Sequence, residues 1–257
     1  MEKPEVTLEN YNAVYNFYRM YRQPRLGAAI GHGAMALAFK PDMTYKGSAD
    51  DLIRDHLRDG SRLIIALNHI SDKDQYVVAA MARREQAFQP MVGNTFIQSK
   101  VPLFHHPNKL VRPLLRHGVD VMGAIPAFRK KDSDGQSDEL RKAATSELLE
   151  TSVAKMQQGQ HMAVFPEGTR NKENPNVVQP LKEGIIYVAS KVAAEHVVAV
   201  VPIGFTYDSR PRYPEMVVAE PIVDYEFSAN TFLLELRDIM QDCVDQAIRQ
   251  SANPRHS

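Results

Sequence analysis

The chain has one cysteine, no net charge and no long apolar run, and each shortage removes a class of function. Cys243 is the sole cysteine among 257 residues, so neither a disulfide framework nor a cysteine-rich metal site can form. A reducing, cytosolic compartment is the expectation that follows. Lys and Arg number 31 and so do Asp and Glu. With no global charge to attract nucleic acid, any anionic ligand must be held by a local basic patch. No stretch reaches the roughly 18–20 apolar residues that span a bilayer. The opening Met1-Glu2-Lys3-Pro4-Glu5 lacks a basic region followed by an apolar one, so no signal peptide is expected. There is no dinucleotide fingerprint, no phosphate-cradling Gly-Lys loop and no internal repeat. His105-His106-Pro107 and His117 have no acidic or cysteine partner at ligand spacing, so no metal is expected.

What is present reads as a layered α/β protein. A hydrophobic fraction of 44% against 24% charged suits a globular core, and the length allows one large domain or two small ones. Residues 1–42 carry two helical patterns. In the first, Tyr11, Val14, Tyr15, Tyr18 and Tyr21 recur at three- and four-residue spacing, and Pro24 ends it. The second, Leu26 to Phe39, is apolar, too short to span, and flanked by Arg19, Arg22, Arg25 and Lys40. An aromatic stripe, a basic fringe and a short apolar helix fit an interfacial membrane anchor. They fit equally a helical hairpin packed on its own domain. Gly27, Gly31 and Gly33 permit close helix packing under either reading.

Residues 43–257 alternate strands with helices, which implies a mostly parallel sheet flanked by helices. Strands are expected at 43–47, 62–67, 89–96, 119–125, 161–165, 196–205 and 215–223. Helices are expected at 50–57, 75–84, 101–115, 139–157, 184–194 and 231–251, with a polar loop over 130–138.

Two strand ends carry the chemistry. After the apolar run Leu63-Ile64-Ile65-Ala66-Leu67 comes Asn68-His69-Ile70-Ser71-Asp72-Lys73-Asp74. A histidine leaving a strand and an aspartate opening the next helix fit a general base and the carboxylate that orients it. Ser71 and Asp74 also fit a capping box, which would fix Asp74 beside His69. No serine or cysteine nucleophile stands out, so direct attack by a substrate hydroxyl is the simpler chemistry. About one hundred residues later, Phe165-Pro166-Glu167-Gly168-Thr169-Arg170 leaves a second apolar strand. There Gly168 permits close backbone approach, and Arg170 can grip a phosphate through two parallel hydrogen bonds; an ordinary turn with a surface salt bridge is the alternative. Arg129 follows a third strand and Lys182 opens a helix; both could meet an anion. Val201-Pro202-Ile203-Gly204 ends a further strand and is expected to shape a pocket wall.

Taken in order, these blocks resemble the four motifs of the glycerolipid acyltransferase family, whose best-known members acylate lysophosphatidate. Asn68 to Asp74 resembles its Asn-His-x-Ser-x-x-Asp block. Arg129 resembles the basic residue of the second block, although Pro126-Ala127-Phe128 departs from the commoner aliphatic form. Phe165 to Arg170 matches the third block without substitution, and Val201 to Gly204 resembles the fourth. Lys182 and Gly184 resemble a Lys-x-Gly feature between the last two. The likeness covers about residues 60–205. The N-terminal helical pair is similar in position to the membrane-docking helices of compact bacterial members.

The resemblance implies transfer of a fatty acyl group from acyl-coenzyme A, or from acyl carrier protein, to a glycerol hydroxyl of lysophosphatidate or glycerol 3-phosphate in phospholipid synthesis. These thioesters are co-substrates, and no cofactor is implied; the alternatives are another lysolipid as acceptor, or a non-catalytic lipid-binding scaffold. His69 would be the base and Asp74 its orienter. Glu167, Gly168 and Thr169 would shape the acceptor site, and Arg129, Arg170 and Lys182 would bind its phosphate. Backbone amides near Gly168 would be candidate oxyanion donors. The protein would sit peripherally on the cytoplasmic face of a membrane.

Overall fold

A computed structural model describes residues 3–104, 112–129, 137–207, 212–223 and 230–252. Seven strands form one sheet: β1 (Asp42–Tyr45), β2 (Arg62–Leu67), β3 (Thr95–Lys100), β4 (Ala124–Ala127), β5 (His161–Val164), β6 (Val198–Thr206) and β7 (Glu215–Val218). Their spatial order is β1-β7-β6-β2-β5-β3-β4. The five strands from β6 to β4 run parallel, while β7 pairs antiparallel with β6 and parallel with β1. The fold is thus α/β with a mostly parallel central sheet.

The period-two rule of a strand separates the two faces. Along β2, Leu63, Ile65 and Leu67 join one core, and Ile64 and Ala66 join the other. The first core is closed by α3 (Ala49–Arg58) and α4 (Asp74–Arg84), through Ile53, Val77 and Met81. The second is closed by α1 (Tyr11–Met20), α6 (Asp138–Gln157), α7 (Gly184–Ala193) and α8 (Asn230–Ser251). Both faces are covered, which is why β2 and β6 read as continuous apolar runs and not as alternation.

The two N-terminal helices behave differently. The aromatic stripe of α1 is core: Val14, Tyr15, Phe17 and Tyr18 are buried. The hydroxyl of Tyr15 donates to Pro126 O at 3.0 Å, and that of Tyr18 to Asp120 Oδ1 at 2.6 Å. Lys155 on α6 caps the end of α1 by donating to Tyr18 O at 3.0 Å and Tyr21 O at 2.9 Å. Helix α2 (Arg25–Ala38) instead buries only Ala28 and His32. It lies on α4 and α5 (Arg112–Val121). A Cβ on Gly31 would come 2.5 Å from Met122 Sδ, so glycine there sets how closely α2 approaches. Gly33 faces open space and has no such role. Its outer face carries Leu26 at 76%, Ile30 at 66% and Leu37 at 77% exposure. Among the described residues, no helix is long and apolar enough to cross a membrane.

Three segments differ from the sequence expectation. The strand expected at 89–96 is a 3-10 turn over Gln89–Met91, with β3 beginning at Thr95. Pro90 opens that turn and Gly93, at φ 77°, reverses the chain before extension begins. The expected helix at 101–115 lies partly outside the described residues, as do His105-His106-Pro107. The described helix, α5, runs to Val121 across part of the expected strand 119–125. Gly123, at φ 81°, then turns the chain into β4. The expected polar loop at 130–138 falls largely outside the described residues; Ser137 caps α6 by accepting from Leu140 N.

Candidate active site

Strands β2 and β5 are parallel neighbours, with Ala66 opposite Val164. Their carboxyl ends therefore lie side by side, and the two loops separated by about one hundred residues in sequence become adjacent. β3 flanks β5, and β4 flanks β3 with Ala127 opposite Lys100. On the other side β6 flanks β2, with Leu67 opposite Ile203. Five strand ends converge on one edge, where ligands of open α/β sheets bind.

Asn68 fixes the first loop. Its side-chain amide donates to Phe205 O and accepts from Phe205 N, both at 2.9 Å, so it extends the β2–β6 ladder by one rung. The chain then wraps around Asp74, which is fully buried. Asp74 Oδ2 accepts from Ile70 N at 2.7 Å, Ser71 N at 2.8 Å and His69 Nδ1 at 2.8 Å. Oδ1 accepts from the Tyr207 hydroxyl at 2.9 Å. Only half of a capping box forms. Asp74 reaches back to Ser71 N, while Ser71 Oγ accepts from Lys73 N at 3.2 Å. A carboxylate accepts and does not donate, so Nδ1 of His69 carries the proton and Nε2 presents its lone pair. Phe165 stacks on the imidazole, 4.3 Å between centroids and 14° between planes, and holds it in place.

Glu167 is buried with its carboxylate turned under the loops. Oε1 accepts from His69 N at 2.6 Å and Oε2 from Gln179 N at 2.9 Å. Burial raises its pKa, and the two amide donors oppose the rise. The side chain brackets the loop that carries His69; it is not on the lining of the ligand cavity.

That cavity, about 140 Å³, is lined by His69, Phe165, Gly168 and Arg170 from the two loops, and by Arg129 beyond β4. Two further charged residues belong to its lining. Lys100 closes β3, and Asp72 stands between two cations: Oδ1 accepts from Lys100 Nζ at 2.7 Å, and Oδ2 pairs with Arg170. The hydrogen bonds from Lys100 and Arg170 hold the Asp72 carboxyl down at about 2 against the effect of burial.

Not every expected contact is on this lining. Thr169 and Lys182 are exposed and absent from it. Lys182 donates its backbone N–H to Pro166 O at 2.8 Å, and its stem covers Gly168, where an added Cβ would lie 3.3 Å from Lys182 Cγ. Gly168 has φ 72°, which glycine adopts without strain. Its N–H donates to Phe165 O at 3.0 Å, so it closes the turn and is not a free oxyanion donor. Gly204 is not a pocket wall either. A Cβ there would come 2.3 Å from Val244 N, so this glycine admits α8 against β6.

Beside the polar cavity lies a second, apolar one of about 580 Å³ between α2, α4, α5 and β3. The two share Gln75 and Ser99. Ile30, Leu114 and Leu115 belong both to the apolar lining and to the exposed surface.

A family model described as Acyltransferase matches residues 52–206, more than half of the 257-residue chain. The chain belongs to the acyltransferase family. Among solved structures, this acyltransferase is similar to the 1-acyl-sn-glycerophosphate (LPA) acyltransferase, PlsC, from Thermotoga maritima. The TM-score is 0.55 at 16% identity, covering 96% of this chain and 90% of that one. At that identity the likeness establishes the shared fold. A comparison with curated protein sequences finds no match.

The sequence reading missed Asp72, Lys100 and Tyr207. Lys100 lay outside the strand expected at 89–96, so nothing placed it at a strand end. Tyr207 directly follows the β6 strand. A polar residue just beyond an apolar strand is the one signal that could have drawn notice to it.

Proposed function

We propose that this acyltransferase moves a fatty acyl group from acyl-coenzyme A, or from acyl carrier protein, to a free hydroxyl of lysophosphatidate or glycerol 3-phosphate. The observation that carries the reading is the His69–Asp74 pair at 2.8 Å, on the edge of a cavity that also presents Lys100, Arg129 and Arg170. A base beside a cationic pocket suits a nucleophile that is a neutral hydroxyl on an anionic molecule.

A thioester is already activated, so the protein needs to position it, deprotonate the alcohol and stabilise the charge that develops. The acceptor hydroxyl gives its proton to Nε2 of His69 while its oxygen bonds to the thioester carbonyl carbon. Asp74 holds the ring in the productive tautomer and stabilises the imidazolium. The tetrahedral adduct then collapses: the carbon–sulfur bond breaks and the leaving thiolate takes the proton from Nε2. The products are an ester and a free thiol, and His69 is restored. The apolar cavity is the candidate acyl site. Its volume falls within the range of roughly 300–1,000 Å³ usual for small-molecule sites. Its exposed rim on α2 and α5 supports entry of the chain from a lipid surface, with the protein docked peripherally on the cytoplasmic face.

The test is thiol release from palmitoyl-coenzyme A with no acceptor, glycerol 3-phosphate, lysophosphatidate and other lysophospholipids in turn. Acceptor-dependent release is expected, abolished in His69→Ala and reduced about 10²- to 10⁴-fold in Asp74→Asn. Release without any acceptor would indicate a thioesterase. Lipid binding without release from palmitoyl-coenzyme A, or from a palmitoyl-acyl carrier protein run in parallel, would indicate a binding scaffold.

A further inference from the structure

The lining of the apolar cavity includes a buried polar side chain that the proposed acyl transfer does not use. His32 is only 6% exposed and lies on the cavity lining. Its Nδ1 is 2.8 Å from Ala28 O, one turn earlier on α2. A carbonyl oxygen can only accept, so Nδ1 holds the proton and Nε2 has the lone pair. Burial lowers the pKa of the ring, which keeps it neutral. Among the described residues nothing hydrogen-bonds to Nε2. Other polar side chains of the lining stand differently. The Thr95 hydroxyl donates to Met91 O at 3.0 Å, Gln75 and Ser99 sit where the two cavities join, and Tyr76 and His117 are exposed. Nε2 of His32 is thus a neutral acceptor with no protein partner, in a chamber lined mainly by Val78, Ala79, Met81, Phe88 and similar side chains.

We propose that His32 is a specificity-determining residue that selects acyl chains bearing a hydroxyl group. This rests on the reading of the apolar cavity as the acyl site. A saturated chain filling the cavity displaces water from Nε2 and supplies no donor, leaving a buried acceptor unpaired. A chain with a hydroxyl at the matching depth donates to Nε2 and restores the bond. Sites built around a hydrogen bond to a substrate hydroxyl discriminate strongly against the analogue that lacks it, because their own buried group is left unsatisfied. His32 is not among the residues shared with the polar cavity, so the hydroxyl it reads lies along the chain and not beside the reacting carbonyl.

The experiment compares stearoyl-coenzyme A with stearoyl thioesters hydroxylated near the carboxyl end, at mid-chain and at the methyl end. Alongside turnover, the corresponding free fatty acids are tested for displacement of a fluorescent fatty acid from the full-length protein. In the wild type, one hydroxylated position is expected to exceed the plain chain by about fivefold or more in kcat/KM and in displacement. His32→Leu is expected to bring that ratio to within about twofold of unity, and His32→Gln, which keeps an acceptor, to retain part of it. An unchanged ratio in His32→Leu, or no preference at any position in the wild type, would overturn the proposal and leave water as the partner of Nε2. If no donor turns over but the displacement preference is present and depends on His32, the catalytic reading fails and the selector stands. If neither the plain nor the hydroxylated acids displace the probe, the selector fails on its own account.

Discussion

At the residue scale, two aspartates two positions apart do different work because of what surrounds them. Asp74 is fully buried and held by four donors, whereas Asp72 is bonded only to two cations at the cavity edge. Asp72 stands where a ligand phosphate would meet Lys100 and Arg170, and its low pKa keeps it charged at any working pH. Asp72→Asn should therefore lower KM for a phosphate-bearing acceptor. Asp72 has a side chain 57% exposed, and solvent screening limits exposed pairs to roughly 0.2–1 kcal/mol. The expected change is at most about fivefold, shrinking as salt is raised; a higher KM would mean that Asp72 organises the cations instead. Tyr207 belongs to the other aspartate. Without its hydroxyl, Asp74 Oδ1 is left buried and unpaired, and the carboxylate is held only through Oδ2. Tyr207→Phe should cut kcat roughly threefold to tenfold with KM unchanged, a loss of about 1 kcal/mol. Equal kcat values would show the bond to be a bystander.

At the element scale, the contrast is between α1 and α2. Lys155 is almost wholly buried where it caps α1, and burial brings its pKa down to about 7, with Arg22 adding to the effect. The unfolded chain holds that proton up to a lysine's usual range, near 10.4. Between about 7 and that value the unfolded state binds more protons, so stability should rise with pH. Below about 7 both states are protonated and this contribution is absent. Urea unfolding at intervals across the window should show the rise, and Lys155→Met should flatten it. Helix α2 is tested by association. Replacing Leu26, Ile30 and Leu37 together with Asn should weaken binding to anionic vesicles at least tenfold, while the same changes leave the melting temperature nearly unaltered because these side chains are largely exposed. Undiminished vesicle binding would remove α2 as the docking element.

At the scale of the whole molecule, the two cavities meet at Gln75 and Ser99, and under the proposed function the acyl chain would fill the apolar one with its carbonyl toward His69. Helix α4 lines the apolar chamber from Gln75, at the junction, to Ala82 about two turns further in. Ala82→Phe should shorten the space available and shift donor preference from long toward shorter acyl thioesters, with activity on the shortest donor retained. A uniform loss across chain lengths would point to disruption of α4 and not to a shortened chamber.

The alternation of apolar strands and helices determined the α/β class, and Asn68 to Asp74 and Phe165 to Arg170 contain His69, Gly168 and Arg170 of the polar cavity's lining. Those inferences rest on local periodicity and on residue types with few uses. Sequence alone could not fix which way a side chain turns. Glu167 reads as an acceptor-site residue, yet two backbone amides draw it under the loop. Gly204 reads as a pocket wall, yet α8 lies against it. The aromatic stripe of α1 fits membrane and core equally, and its packing on α6, with Tyr15 bonded to Pro126 of β4, assigned it to the core. Lys100, Tyr207 and the apolar chamber arise from strand order, since parallel neighbours bring together carboxyl ends that the chain keeps far apart. Periodicity is written in the sequence because it follows from each residue's own backbone geometry; adjacency is decided by tertiary structure because it depends on which strand lies beside which.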